Sequence, residues 1–157
     1  MNTKTVTTII LALFMLLASC HPNKRTNIFD SKIRQHYSEP SNNTVELTKI
    51  KAVIFLPREG CQGCISDASA MTIDLLDKRN DVSVIFTVVN DLKLLKRQYG
   101  NLLDHPLVSI DVQGLFRDNR VSSIYPQIAY MKNGICYKVE EFGNESEEFL
   151  ALFNPIN

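Results

Sequence analysis

The feature that most constrains the fold of this chain is an alternation of apolar runs with amphipathic segments. Residues 50–56 are almost all apolar and partly β-branched, which is typical of a central strand buried on both faces of a sheet. After Cys64, apolar residues recur every three or four positions, which predicts a helix. Residues 82–89 repeat the strand pattern, 91–99 repeat the helix pattern, and 107–111 add a short third strand. This order predicts parallel strands covered by helices.

The C-terminal part of the chain predicts a hairpin and a last helix. Residues 127–132 and 135–139 flank Asn133-Gly134, a dipeptide that favours a two-residue turn with positive φ. Residues 149–153 supply the apolar side of a final helix. The hairpin adds antiparallel strands, so the predicted fold class is α/β with a central mixed β-sheet flanked by helices. A chain of 157 residues fits one such domain.

Two cysteines, Cys61 and Cys64, stand where the first apolar run gives way to a helix. A helix start has unpaired backbone N–H groups and partial positive charge, so a thiol placed there ionises more readily. Two intervening residues put the sulfurs about one helical turn apart, within reach of a disulfide. We therefore predict a redox pair in which Cys61, nearer the loop, is the nucleophile and Cys64 resolves the mixed disulfide.

Two other uses of the cysteine pair remain open. A purely structural disulfide is one, although so short a loop gains little from closure. A zinc or copper site is the other, but its further ligands would have to come from the scattered His36, His105 and Cys136. We therefore predict no metal and no cofactor, and a core-packing role for Cys136. The net charge of +0, with basic and acidic residues intermixed, indicates no nucleic-acid partner.

The N-terminus has the layout of a signal peptide over residues 1–19. Lys4 precedes an apolar stretch at 6–17, which is too short for a typical transmembrane helix. The sequence Leu-Ala-Ser-Cys that ends at Cys20 resembles the lipobox of bacterial lipoproteins. That resemblance implies a lipid on Cys20, which would be the first residue of a membrane-attached mature chain. An ordinary secretory signal with an incidental cysteine is the alternative.

The sequence therefore predicts three segments: the signal peptide, a tether and a folded domain. Residues 20–43 are polar and interrupted by prolines, as expected of a lipidated N-terminus and tether. Apolar residues at near-helical spacing allow a short helix at 27–37 that folds back on the domain. The domain itself is expected to cover 44–157, on the extracytoplasmic, periplasmic side of the cell envelope.

The order of these elements resembles the thioredoxin fold. The residues that carry the resemblance are Cys61, Cys64, Pro126 and the Asn133-Gly134 hairpin, and the likeness covers about residues 44–153. Together with the lipobox, the chain resembles the membrane-anchored thiol-disulfide oxidoreductases of the TlpA and ResA type. The resemblance implies a thioredoxin-like three-layer sandwich that exchanges disulfides with envelope proteins. Its partners would be protein thiols and disulfides and a redox partner in the membrane.

The resemblance also implies a substrate-binding loop opposite the cysteine pair. Pro126 stands at the place of the family's cis-proline and Tyr125 is the residue before it. The chain departs from the family pattern at Phe55, six positions before Cys61, where many family members have a buried acid. It also has Gln62-Gly63 between the cysteines. The alternative function is a non-catalytic lipoprotein that uses the same fold, with a structural disulfide, to bind a partner.

Overall fold

The computed structural model describes residues 23–40, 42 and 45–153. The predicted signal peptide and Cys20 lie outside the described residues. Four α-helices and one five-stranded sheet make up the regular structure of the described part, with short 3-10 helices at Gly100–Asp104 and Leu115–Arg117. The helices are α1 (Lys24–Ser38), α2 (Gln62–Leu76), α3 (Leu92–Tyr99) and α4 (Glu147–Phe153). The strands are β1 (Ala52–Pro57), β2 (Val82–Thr87), β3 (Val108–Ile110), β4 (Gln127–Lys132) and β5 (Ile135–Glu141).

The sheet has the strand order β3-β2-β1-β4-β5, which puts β1 at its centre as predicted. β1 and β2 pair in parallel, as do β2 and β3, and β1 pairs with β4 antiparallel. Every residue of β1 and β2 is buried, as their continuous apolar runs indicate. The coarse prediction of an α/β fold with a mixed sheet is therefore confirmed.

The predicted hairpin is present as β4 and β5. Asn133 and Gly134 form the turn with φ of 52° and 75°, the left-handed conformation that a two-residue turn of this kind requires. The register shifts between Tyr130 and Met131, where a bulge interrupts the ladder. Ile135, the first residue of β5, is exposed and lies next to this turn. The turn is at the end of β4 opposite Gln127.

The two faces of the sheet have separate apolar cores. On one face, α2, α3 and α4 cover the even-numbered positions of β1, where Ile54 and Leu56 are fully buried. On the other face, α1 covers Val53 and Phe55. Helices therefore lie on both sides of the sheet, and the sheet separates α1 from the helix that follows Cys61.

Helix α1 is part of the domain and not part of a tether. Phe29 and Ile33 are 0% exposed and lie in the second core. Polar contacts fix the helix along the hairpin, because Asp30 Oδ1 accepts from the backbone N–H of Cys136 at 2.8 Å and Arg34 donates to the Gly134 carbonyl. The helix expected at 27–37 spans Lys24–Ser38 and is longer than predicted. Because it packs on the sheet, the folded domain begins well before residue 44.

The C-terminal end of α1 is tied to the sheet by a buried polar cluster. His36 is 1% exposed, and its Nε2 lies 2.8 Å from the hydroxyl of Ser109 in β3. The next residue, Tyr37, hydrogen-bonds through its hydroxyl to Ser83 in β2. Burial raises the pKa of Tyr37 to about 12, so this hydroxyl stays protonated near neutral pH. These bonds satisfy polar groups that would otherwise be costly inside the domain.

We expect the stability of the domain to decrease in mildly acidic solution because of His36. Burial lowers the pKa of His36 from 6.5, against the opposing effect of the Asp111 and Glu39 carboxylates. Below pH 6.5 the unfolded chain therefore binds a proton at His36 before the folded protein does, which favours unfolding. This part of the stability is complete above pH 6.5 and is lost as the pH falls towards the lower native pKa.

Urea denaturation on both sides of pH 6.5 measures this effect. The wild type should lose more free energy of unfolding than His36→Gln does over the same interval. His105→Gln is the matched control, since His105 lies in a loop where its Nδ1 accepts from the Leu107 N–H. An equal loss in wild type and His36→Gln would show that His36 does not cause the pH dependence.

Candidate functional site

Cys61 and Cys64 form a disulfide at the carboxyl end of the central strand, with their Cα atoms 5.4 Å apart. β1 ends at Pro57 and α2 begins at Gln62, so Cys61 is the N-cap of the helix and Cys64 lies in its first turn. Both cysteines are half-buried. The strand thus delivers the pair to the surface at the crevice beyond the carboxyl ends of the parallel strands, a common place for sites in α/β folds.

Cys61 lies beside the unpaired backbone N–H groups at the N-terminus of α2. An N-cap side chain faces the free N–H groups of the first helical turn, and no side-chain hydrogen bond occupies that position here. The first turn carries no acidic residue. Glu59, the nearest carboxylate in sequence, is exposed and accepts a hydrogen bond from Asn90. The partial positive charge of the helix terminus is therefore not neutralised from within the helix.

The loop before β4 lies directly against the disulfide. The backbone N–H of Cys61 donates to the carbonyl oxygen of Ile124 at 3.0 Å. Gly60 makes this approach possible, because it has a φ of 149° and a Cβ there would lie 2.9 Å from the Ile124 Cα and closer still to its carbonyl group. Ile124 itself remains 59% exposed and Tyr125 40% exposed. The pair therefore sits beside an apolar, solvent-facing loop.

Gly60→Ala is expected to destabilise the domain by about 2 kcal/mol or more, because the methyl group overlaps backbone and the φ value is unfavourable for alanine. Gly63→Ala is the matched control on the other side of Cys61. A Cβ at Gly63 meets nothing within 4 Å, and alanine in the first turn should be neutral or stabilise by up to about 1 kcal/mol. Chemical denaturation compares the two, and equal stabilities would contradict the close contact between Gly60 and the loop.

The expectation of a cis-proline at Pro126 is wrong for this structure. The described residues contain no cis peptide bond, so the bond from Tyr125 to Pro126 is trans. The trans isomer is the intrinsically preferred form of an X–Pro bond. In the loop before Pro126, Tyr125 N–H donates to Ser123 Oγ at 3.0 Å and the Ile124 carbonyl accepts from the Cys61 N–H. Pro126 is buried directly before β4, and its carbonyl accepts a hydrogen bond from the Phe142 N–H after β5. Ile124, two residues before Pro126, is the residue that reaches the cysteine pair.

An open groove of about 510 Å³ extends from the cysteine loop across the carboxyl edge of the sheet. The expected strand 82–89 stops at Thr87, and Val88 adopts a φ of 55°, which is strained for a β-branched residue. Arg117 holds this bend by donating to the Val89 carbonyl at 2.9 Å and to Asn90 Oδ1 at 2.6 Å. The groove is lined by Glu59, Gly60, Val88, Arg117, Ser122, Ser123 and Ile124.

Sequence patterns did not indicate this groove. Val88 looks like an ordinary strand residue, and Arg117 and Ile124 lie in segments without a periodic pattern. The available signal is Gly60 directly before the first cysteine, since a glycine there permits close backbone approach.

Phe55, six residues before Cys61, packs among aromatic rings on the α1 face of the sheet. Phe55 is 3% exposed, and its ring centroid lies 5.2 Å from that of Phe29 and 4.8 Å from that of Phe116. Gln127 is the β4 residue paired with Phe55. Phe55 therefore supplies no proton acceptor at this position, and its ring lies on the face of the sheet opposite α2.

The remaining candidate ligands do not converge on the pair. Cys136 is a buried free thiol whose Sγ lies 3.7 Å from the Lys138 carbonyl oxygen, and burial raises its pKa to about 12. It belongs to the core under α1, as predicted. His36 and His105 are engaged with Ser109 and with the Leu107 N–H. Among the described residues, no group of three His, Cys, Asp or Glu side chains is placed to hold a metal ion.

Comparison of the chain with protein-family models, with curated proteins and with solved structures gave no match. Over residues 23–40, 42 and 45–153, no helix is long and apolar enough to cross a membrane. Function is therefore inferred from the geometry around the disulfide.

Proposed function

We propose that the protein is a thiol-disulfide oxidoreductase with a thioredoxin-like fold, in which Cys61 and Cys64 exchange disulfides with other proteins. The observation that carries the proposal is the position of the pair. The disulfide is half-buried at a helix N-terminus, at the end of the central strand, beside a loop with exposed apolar side chains. A disulfide that only stabilised the fold would gain nothing from this surface position or from the adjacent groove.

The reaction starts from the reduced pair. The Cys61 thiolate attacks one sulfur of a substrate disulfide, forms a mixed disulfide and releases the other substrate sulfur as a thiolate. Cys64 loses its proton to solvent and attacks Cys61 Sγ, which releases the second substrate thiolate and forms the Cys61–Cys64 disulfide. Two electrons pass to the substrate, whose thiolates take up protons. A dithiol protein reverses these steps to restore the reduced pair.

The loop at Ile124 and Tyr125 supports a protein as substrate. Two exposed apolar side chains next to a disulfide offer contact area for a polypeptide without obstructing the sulfurs. The groove beyond them has room for the residues that flank a substrate cysteine. Tyr125 is thus proposed for substrate contact together with Ile124, whereas buried Pro126 positions the loop.

We further propose that the protein is attached to the cell-envelope membrane by lipid on Cys20. The proposal rests on the lipobox-like sequence that ends at Cys20. The domain would then lie on the extracytoplasmic side, where disulfides persist.

A second candidate is a binding module that keeps the disulfide closed. The phenylalanine at position 55 favours it, because this position, six residues before Cys61, supplies no acid that could accept a proton from Cys64. Such a module would use the same Ile124 and Tyr125 surface to hold a partner.

The reduction potential of the Cys61–Cys64 pair separates the two candidates. Equilibration of the full chain with glutathione redox buffers measures it, with Cys20→Ala and Cys136→Ala combined as a background that leaves only the Cys61–Cys64 pair. We expect a potential above about −300 mV, in the range of exchanging pairs. A lower potential, together with no reduction of a protein disulfide substrate, would contradict the enzymatic proposal and favour the binding module.

A further inference from the structure

Helix α1 starts at the end of the sheet that carries the disulfide. At its first turn, the Arg25 guanidinium lies against the side-chain amide of Gln127, the first residue of β4. With that amide oriented to satisfy both neighbours, its oxygen accepts from Arg25 and its nitrogen donates to the Val121 carbonyl at 2.9 Å. The loop that contacts Cys61 lies between Val121 and Gln127. At the other end of α1, Tyr37 bonds to Ser83 near the start of β2. The helix therefore runs away from the disulfide edge towards the opposite edge.

The chain between Cys20 and α1 is very short. Asn23 caps the helix by accepting from Arg25 N–H at 3.1 Å, so only residues 21 and 22 separate Cys20 from the cap. Three Cα steps span at most about 11 Å. A lipid on Cys20 would consequently bring the membrane surface next to the start of α1, and hence next to the disulfide edge of the sheet.

The same edge carries side chains that suit a lipid surface. Ile124 and Tyr125 are exposed there, and aromatic residues of this kind favour the membrane interface. Lys24 and Arg25 are exposed at the start of α1, where they can attract anionic headgroups. Glu59, Asp91 and Glu141 are exposed acids at this edge and oppose that attraction, so the anchor and the apolar loop must hold the edge at the lipid surface.

We propose that the edge bearing Cys61, Ile124 and Tyr125 lies against the lipid surface to which Cys20 is attached. This inference rests on the proposed lipid anchor and deepens the proposed function, because a partner must then present its thiols at the membrane surface. A soluble protein substrate would have to enter between the domain and the bilayer.

The absence of tryptophan from the chain allows a direct test. Ile124→Trp and Ile135→Trp each introduce one fluorophore at an exposed isoleucine, 59% and 56% exposed in the wild type. The two positions lie beyond opposite ends of β4, a strand about 17 Å long. The full-length lipidated variants are reconstituted in phosphatidylcholine and phosphatidylglycerol vesicles whose phosphatidylcholine carries brominated acyl chains.

We expect bromolipid to reduce the emission of Ile124→Trp and to leave that of Ile135→Trp unchanged. Tyr125→Trp provides a second reporter, should the substitution at Ile124 disturb the loop, and should also be quenched. Vesicle flotation on the same samples reports attachment, with Cys20→Ala as the unattached control.

The proposed orientation is overturned if the protein floats but neither Ile124→Trp nor Tyr125→Trp is quenched, or if Ile135→Trp is quenched more strongly than they are. Either result leaves the anchor intact. Wild type that fails to float would overturn both the anchor and the orientation. Exchange activity measured in detergent solution is independent of both results. It therefore identifies a failure of the proposed function separately.

Discussion

Replacing Cys61 by serine is expected to abolish disulfide exchange while the domain stays folded. The serine hydroxyl is not ionised near neutral pH and cannot form a disulfide, so the first attack on a substrate is lost. The fold should tolerate the change, because a serine at the N-cap can hydrogen-bond the first turn of α2. Reduction of a protein disulfide by the dithiol-activated full chain measures the effect, and circular dichroism checks the fold.

Cys64→Ser is the matched variant that tests the order of attack. Cys61 can still form the mixed disulfide, but no thiol is left to resolve it, so a covalent adduct with the substrate should accumulate. Non-reducing electrophoresis and mass spectrometry detect that adduct. Trapping by Cys61→Ser in place of Cys64→Ser would reverse the assigned roles of the two cysteines.

Phe29→Ala is expected to lower the free energy of unfolding by about 3–5 kcal/mol, a large part of the stability of an ordinary domain. The Phe29 ring is fully buried, and it contacts the rings of Phe55 and Phe116. Its removal leaves a cavity between α1 and the sheet that these aromatic neighbours cannot readily fill. Urea denaturation measures the loss.

Asn27→Ala is the control for Phe29→Ala. Asn27 is exposed on the same helix, and alanine there should slightly favour helix formation. The comparison therefore separates loss of packing from any general change in α1. A cost below about 1 kcal/mol for Phe29→Ala would mean that α1 contributes little to the folded domain. That result would contradict the complete burial of the Phe29 side chain.

The elements of the sheet could be predicted because their residues obey simple local patterns. The apolar run of β1 indicates burial on both faces, and Asn133-Gly134 specifies a tight hairpin. The cysteine pair was located in the same way, since its position depends only on where the strand ends and the helix begins. Asp91 and Gly100 likewise bound α3 as the sequence indicates.

The parts that could not be predicted depend on contacts between distant residues. Nothing local reveals that the Ile124 carbonyl accepts from the Cys61 N–H, or that the bond before Pro126 is trans. The bend at Val88 opposes the local preference of a β-branched residue and is held by Arg117 from another segment. The helix at 27–37 that folds back on the domain was predicted. Its full length and the complete burial of Phe29 and Ile33 were not, because its apolar residues are few and lie in a polar segment.

The packing of α1 also constrains the order in which the chain can fold. Its partners Gly134 and Cys136 are 100 and 106 residues away from the α1 residues that they contact. Contacts at such separation require closure of nearly the whole domain and slow the folding of small proteins. During synthesis from the N-terminus, α1 emerges before the sheet but has no complete binding surface until the β4–β5 hairpin has followed. The first helix is therefore expected to be among the last to dock, and its fully buried apolar side chains stay accessible to chaperones until then.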